Sequence, residues 1–376
     1  MRDYLNTSAP THFLFPLDGD HLNERDGVMT GEELTVTVKL HTSPACKVAV
    51  NGIAAIEKDG AYEAELVLKE GENTLFAENS TDGTTATVRV YFSNRSVGKY
   101  RISSDDNILF LYDITKNKDT YTSIFDNPYL SVYKKAHDLY GAKVHLNLFY
   151  AFDREAAKRF SADRPDFDLS MMTDKFKAEW EANADWLELS FHAHAEFPGN
   201  PYVHATPEKI TEDFLAVKRE VIRFAGEKTF TSETTTTHWG SGNKECCLAL
   251  RALGHRVLTG YLTLSKDGNP SVSYYLPASI VGHADERDFW TDHETGLHFG
   301  RIDRVTNIGT LEEVMADMQA IIDHPHRGGF VSFMIHEQYF YEDYKNHLPD
   351  FEARVLQPAK LLVENGYTGA QMTEVI

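Results

Sequence analysis

Hydrophobic and polar positions follow two rhythms along this chain, and the change between them falls near residue 98. From about residue 13 to 96 apolar residues recur at every second position, as in "EELTVTVKL" (Glu32 to Leu40), the alternation of strands with one buried face. "AYEAELVL", "NTLFAEN" and "TATVRVYF" repeat it, separated by "KEGE" and "STDGT", which are turn chemistry. Asn51-Gly52 stands between short apolar runs in "KVAVNGIAAI", a pairing that favours a two-residue hairpin because both residues tolerate positive φ. About seven short strands at this spacing predict a small all-β, immunoglobulin-like sandwich over residues 1–97.

Beyond that point apolar residues take up helical spacing between short buried runs. "NPYLSVYKKAHDLYG" opens with Asn127 as a cap and Pro128 at the first helical position, and stops at Gly141; "AKVHLNLFY" then reads as a buried strand. In "TPEKITEDFLAVKREVIRFAG" Ile210, Phe214, Val217, Val221 and Phe224 line one face between a Thr206-Pro207 start and a Gly226 stop. The strand "KTFTSETTTT" follows it. The helices "NKECCLALRALG" and "TLEEVMADMQAIID", the latter opening on a Thr310/Glu313 capping box, lead into the strands "HRVLTGYLTL" and "GGFVSFMI". Alternating strand and helix units predict a mostly parallel sheet, and about seven of them point to a closed or nearly closed barrel over residues 98–376. Chemistry in such an architecture collects just past the carboxyl ends of the strands.

The residues directly after these strands are rich in ionisable groups. Ser104, Asp105 and Asp106 follow "KYRIS"; His192, His194 and Glu196 follow "WLELSF"; His238, Trp239 and Gly240 follow "TFTSETTTT"; His336 and Glu337 follow "FVSFMI". Adjacent carboxylates repel unless they share a cation or a proton, so Asp105-Asp106 suits one metal ligand beside one base, although Ser-Asp-Asp-Asn is also ordinary turn chemistry. His192, His194 and Glu196 fall on one face of an extended strand and offer the nitrogen and oxygen donors that zinc takes; a decorated strand end reads the same way. His336 ends an apolar run and can protonate a leaving group near neutral pH. His238, beside Trp239, reads as a ligand, an oxyanion-stabilising donor or a wall of a sugar subsite. Asp113, after the apolar run "ILFLY", offers another end to the first strand and would then replace the Asp105-Asp106 pair.

Composition narrows the partner more than the fold. Lys+Arg number 37 against 57 Asp+Glu, a net charge of -20, which sets the chain against nucleic acid and anionic membrane surfaces. Aromatic residues make up 12%, and acidic, ring-rich chains suit carbohydrate, whose faces stack on aromatics while its hydroxyls donate to carboxylates. No run of about 18 apolar residues occurs, and the opening "MRDYLNTSAPTHFLF" lacks a basic stretch followed by an apolar one. The expectation is a cytoplasmic protein, or a secreted one if the chain is a trimmed form. The cysteines Cys46, Cys246 and Cys247 make no disulfide framework.

Taken in order, these segments resemble the polysaccharide deacetylase (NodB homology) family over residues 99 to 376. The resemblance rests on a strand ending in Asp-Asp ("ISSDDN") and a strand ending in histidine with another ligand position four residues on ("LSFHAHAE"). It continues through a loop, helix and strand ("TTTTHWGSGNKECCLALRALGHRVLTGY") to a final apolar strand ending in histidine ("GGFVSFMIHEQYF") and a terminal "NGY". It implies an irregular (β/α)7 barrel and a divalent metal such as zinc, with Asp105 as general base, Asp106 and His192 as metal ligands and His336 as general acid. The implied reaction is N- or O-deacetylation of an amino-sugar-containing or related glycan. Glu196 stands where the family has its second ligand histidine, so the metal set is Asp106, His192 and Glu196, or recruits His194 or His238. Thr236 stands in place of an arginine and His238 in place of a proline, which removes the group that orients the catalytic aspartate. Two other readings stay open: a glycosidase with carboxylates drawn from Asp105, Glu196 and Glu337, and a carbohydrate-binding protein without turnover.

Overall fold

Alternation at period two gives two five-stranded sheets in the N-terminal part of the computed structural model, which describes residue 5 and residues 7–43 and 46–376. One sheet runs His12–Phe15, Glu33–His41, Ala61–Leu68, Ile56–Lys58, with Val28–Thr30 also on Glu33–His41; the other runs His21–Leu22, Thr85–Phe92, Gly71–Asn79, Val48–Val50, Ile53–Ala54. Val36, Val38, Leu40 and Leu66 of the first meet Val50, Ala77, Val88 and Val90 of the second in one core. The Asn51-Gly52 turn joins two paired strands with φ of 47° and 80°, positive at both central residues as such a hairpin requires.

The remainder of the chain is built on two further large sheets. Leu187–Ala193, Val144–Phe149, Lys99–Asn107, Phe330–His336 and Arg304–Val305 lie side by side and parallel. Thr234–Thr235, Val257–Gly260 and Leu297–Arg301 form a second parallel group, edged by the antiparallel Phe289–Asp292. Main-chain bonds join the two at both ends: Leu189 and Thr229–Thr231 on one side, Ile302 N to Gly260 O and Asp303 N to Ser332 O on the other. The expected strand "KTFTSETTTT" is broken into a bridge at Phe230 and the pair Thr234–Thr235. There the chain passes from one neighbour to the next, and the Ser190 hydroxyl spans the break by donating to the carbonyls of Thr231 and Thr234.

Helices cover the outer faces of these strands, and their ends fall where the caps are. Asn127 accepts from the Leu130 N–H at the start of Pro128–Tyr140, and Gly141, at φ 62°, ends it. Thr206 and Thr310 cap Pro207–Ala225 and Leu311–Ile322 in the same way. "ILFLYD" is helical: Leu109–Lys116 buries Leu109, Phe110, Leu111 and Ile114, and Asp113 accepts from Asn117, Tyr121 and Asn127 on its own side of the fold. The first parallel strand, Lys99–Asn107, therefore carries the Asp105-Asp106 pair near its carboxyl end. Among the described residues no helix is long and apolar enough to cross a membrane.

These strands are buried on both faces, yet period two persists in their chemistry. Ile102, Val144, Leu146, Leu148, Leu189 and Phe333 pack into the apolar core. The alternate positions, Arg101, Ser103, Asp105, His145, Asn147, Glu188, Ser190, His192 and Ser332, are buried and polar. Hydrogen bonds between Arg101 and Ser332, between Asn147 and both Asp105 and His145, and between His145 and Glu188 link most of them in a shared interior below the site.

Candidate metal centre

Asp106, His192 and His238 bring one ligand atom each to a common point, all within 4.8 Å of one another. Asp106 Oδ1 lies 3.1 Å from His192 Nε2 and 3.3 Å from His238 Nδ1, and the two nitrogens are 3.1 Å apart. Asp106 reaches this point because pairing with Val144–Phe149 slips between Ser104 and Asn107, and its own backbone turns left-handed at φ 62°. For a residue with a Cβ that conformation costs on the order of 1 kcal/mol and is concentrated at functional sites.

The far side of each imidazole fixes what the near side can do. His192 Nδ1 stands 2.5 Å from the Thr236 carbonyl oxygen and His238 Nε2 3.1 Å from that of Glu196. A carbonyl only accepts, so those nitrogens carry the hydrogens, and the lone pairs of the neutral rings lie on His192 Nε2 and His238 Nδ1. Two lone pairs and a carboxylate oxygen at this spacing repel unless a cation or a proton lies among them. Gln338 Nε2 donates to Asp106 Oδ2 at 2.9 Å and holds the carboxylate in that orientation. Burial opposes the charge of Asp106, yet His192 and His238, whose facing nitrogens take up protons when no cation lies among them, hold it well below the usual carboxylate range. Burial also opposes protonation of both rings; at His192 the charges of Asp105 and Asp106 outweigh it and the pKa rises, while at His238 burial prevails and the pKa falls. The donor set fits a divalent ion such as zinc.

Glu196 and His194 do not join this trio. The strand ends at Ala193, so the extended alternation that would put 192, 194 and 196 on one face stops too early. His194 turns to Asp213 at 3.5 Å, stacks on Tyr150 and is half exposed. The Glu196 carboxylate pairs with Arg159 Nη1 at 2.5 Å and comes no nearer than 4.0 Å to His238 Nε2. His238, weighed from sequence as one alternative, occupies the corner at which Glu196 was expected.

Asp105 and His336 face each other in register on neighbouring parallel strands. Asn147 Nδ2, from the next strand, donates to Asp105 Oδ1 at 2.7 Å. Asn307 Oδ1 accepts from both the backbone N–H of His336, at 3.2 Å, and its Nδ1, at 2.9 Å. The ring hydrogen is thereby fixed on Nδ1. Asp105, His336 and Asn307 line a cavity of about 370 Å³ whose walls include Trp239, Tyr261, Ile302, Met334 and Tyr339. Trp239 is 54% exposed and left-handed at φ 63°, which presents its ring at the mouth.

Glu337 has a different place. It is fully buried, accepts from the backbone N–H groups of Ile108, Leu109 and Phe110 at 2.6, 2.9 and 2.5 Å and from the Tyr341 hydroxyl at 2.6 Å, and does not line the cavity. It caps Leu109–Lys116, whose own N-cap residue is Ile108 and offers no side-chain acceptor. Asn147, Asn307 and Gln338 went unmarked in the sequence. Only Asn147 carried a signal, as the second polar residue at period two in the buried run "VHLNLF".

No family model matches the chain, and no curated protein matches it. Among solved structures, a Bacteroides fragilis protein described as a "putative alpha-galactosidase" aligns over 92% of this chain and 77% of its own at 9% identity. Its TM-score is 0.22, too low for the fold or the activity to carry across.

Proposed function

We propose that the chain is a metal-dependent hydrolase acting on carbohydrate, and that it removes an acyl group from an amino-sugar-containing or related glycan. In this reading the parallel sheets are an irregular (β/α)7 barrel of the NodB kind, preceded by an immunoglobulin-like sandwich. The observation that carries the proposal is the convergence of Asp106, His192 and His238 with both ring tautomers fixed by main-chain carbonyls. A divalent cation held there supplies Lewis acidity toward an acyl oxygen and toward water. Asp105 accepts a proton from the attacking water, and His336 Nε2 gives one to the departing nitrogen or oxygen. The exposed Trp239 ring offers a stacking face for a sugar.

Elemental analysis of the purified chain and of His192→Ala, with acetate release from acetylated chitooligosaccharides by wild type and His336→Ala, tests this reading. Stoichiometric divalent metal lost in His192→Ala, with acetate release lost in His336→Ala, is the expected result. A wild-type chain without metal, or unchanged acetate release in His336→Ala, sinks it.

One observation favours a second reading, a glycosidase. Asp105 and Glu196 both line the cavity, and burial together with the charge of Asp106 pushes Glu196 up to about 7 against the pull of Arg159, the protonation that a general acid needs near neutrality. Glu337, occupied as a helix cap, is no partner for it. New reducing ends without acetate select this reading over the first.

A further inference from the structure

The interior below Asp105 holds a chain of buried polar groups that the reaction above does not use. Asn147 Oδ1 accepts from the Thr236 backbone N–H at 3.2 Å, and since that N–H can only donate, the amide is oriented with Nδ2 toward Asp105 Oδ1. The same Oδ1 lies 2.9 Å from His145 Nε2, which must therefore carry a hydrogen. His145 Nδ1 lies 2.6 Å from Glu188 Oε1, so a single proton is held between ring and carboxyl, on one or the other. His145 and Asn147 are both fully buried, and Glu188 is 8% exposed. Val144–Phe149 and Leu187–Ala193 pair in a register that sets His145 directly against Glu188.

Polar groups of this kind cost stability in a barrel interior unless each is satisfied, and apolar side chains would fill the same positions at no such cost. Here each member's partner fixes the hydrogen position of the next, and the chain ends on the one carboxylate assigned as base. We propose that Asn147, held in place by the His145–Glu188 pair, is the positioning residue for Asp105. The inference rests on the reading of Asp105 as general base. Asn147 touches neither substrate nor metal ligand; it acts by fixing the rotamer of Asp105.

The test compares wild type with Asn147→Leu, a change of nearly the same shape that leaves no group able to donate, and with Glu188→Gln and Glu188→Ala. Crystal structures of the zinc-loaded proteins and acetate release from acetylated chitooligosaccharides are the readouts. In Asn147→Leu, Asp105 Oδ1 is expected to move by about 1 Å and kcat to fall about 100-fold, with KM and zinc content unchanged. Glu188→Gln, whose amide still bonds to His145, is expected to keep kcat within about threefold, while Glu188→Ala loses about 10-fold or more. Asp105 left in place by Asn147→Leu overturns the proposal, as does equal damage from the two Glu188 variants. If wild type releases no acetate, the acyl hydrolase reading falls, and the position of Asp105 in Asn147→Leu still decides this inference.

Discussion

His192 Nε2 and His238 Nδ1 stand 3.1 Å apart, each ring held from behind by a main-chain carbonyl. Two imidazoles so placed turn lone pairs toward one point, and Asp106 Oδ1 completes the triangle. His238→Ala removes one of the three candidate ligands and, with zinc as the probe, is expected to weaken metal binding by more than about 100-fold, beyond the loss of a residue that only supports a ligand. His194→Ala, at a ring turned to Asp213 and Tyr150, is expected to leave affinity unchanged. Competition against a chromogenic chelator measures both, and equal losses would take His238 out of the ligand set.

Gln338 acts on the same centre at one remove. Its Nε2 is bonded to the Asp106 oxygen that faces away from the histidines, so Gln338→Ala frees the carboxylate to rotate while the donor set stays intact. Zinc affinity is expected to drop about 10- to 100-fold, with the metal-free protein as stable to denaturant as wild type. Unaltered affinity would mean that the left-handed backbone of Asp106 suffices to aim it.

The sequence displayed this centre only in part. Helix starts and stops were legible because caps act locally: Asn127, Thr206 and Thr310 satisfy N–H groups within three residues of themselves. Four strand ends bearing ionisable groups were legible for the same reason. Which of them converge was not, because that depends on where Leu187–Ala193 stops and on the turn at His238, neither of which period two encodes. Extended alternation put Glu196 beside His192; the strand end at Ala193 gave it to Arg159 instead. The "ILFLYD" run could be read as strand or helix, and its helical cap, Glu337, lies more than two hundred residues away in sequence.

Glu337→Ala is expected to act on stability rather than on turnover. The carboxylate takes three backbone N–H groups of a buried helix start and the Tyr341 hydroxyl, and removing it strands those donors away from water. Each buried unsatisfied group costs about 1–3 kcal/mol, partly relieved by water entering the gap, so a loss of roughly 3 kcal/mol in denaturant unfolding is expected. Glu337→Gln keeps one accepting oxygen and is expected to lose less. Full stability in Glu337→Ala, with activity abolished, would return Glu337 to the list of catalytic carboxylates.

His255 makes stability depend on pH. Its ring is fully buried, packs on Phe214, and donates from Nδ1 to the Leu250 carbonyl at 3.0 Å, while Nε2 has no partner among the described residues. A proton added at Nε2 would have no acceptor, and burial lowers the pKa to about 4, the Leu250 carbonyl offsetting only part of this. In the unfolded chain the ring titrates near 6.5. Between these values the unfolded state binds a proton that the folded state refuses, so stability rises with pH through the window. The contribution is complete above about pH 6.5 and is lost on acidification toward pH 4, where it amounts to about 3 kcal/mol. Guanidinium unfolding of wild type and His255→Met from pH 7.5 to 4 isolates it, because the carboxylates that titrate in the same range are common to both. The variant is expected to be less stable at pH 7.5, having lost the Leu250 bond, and to lose less on acidification; parallel curves would show that His255 is protonated as readily in the fold as outside it.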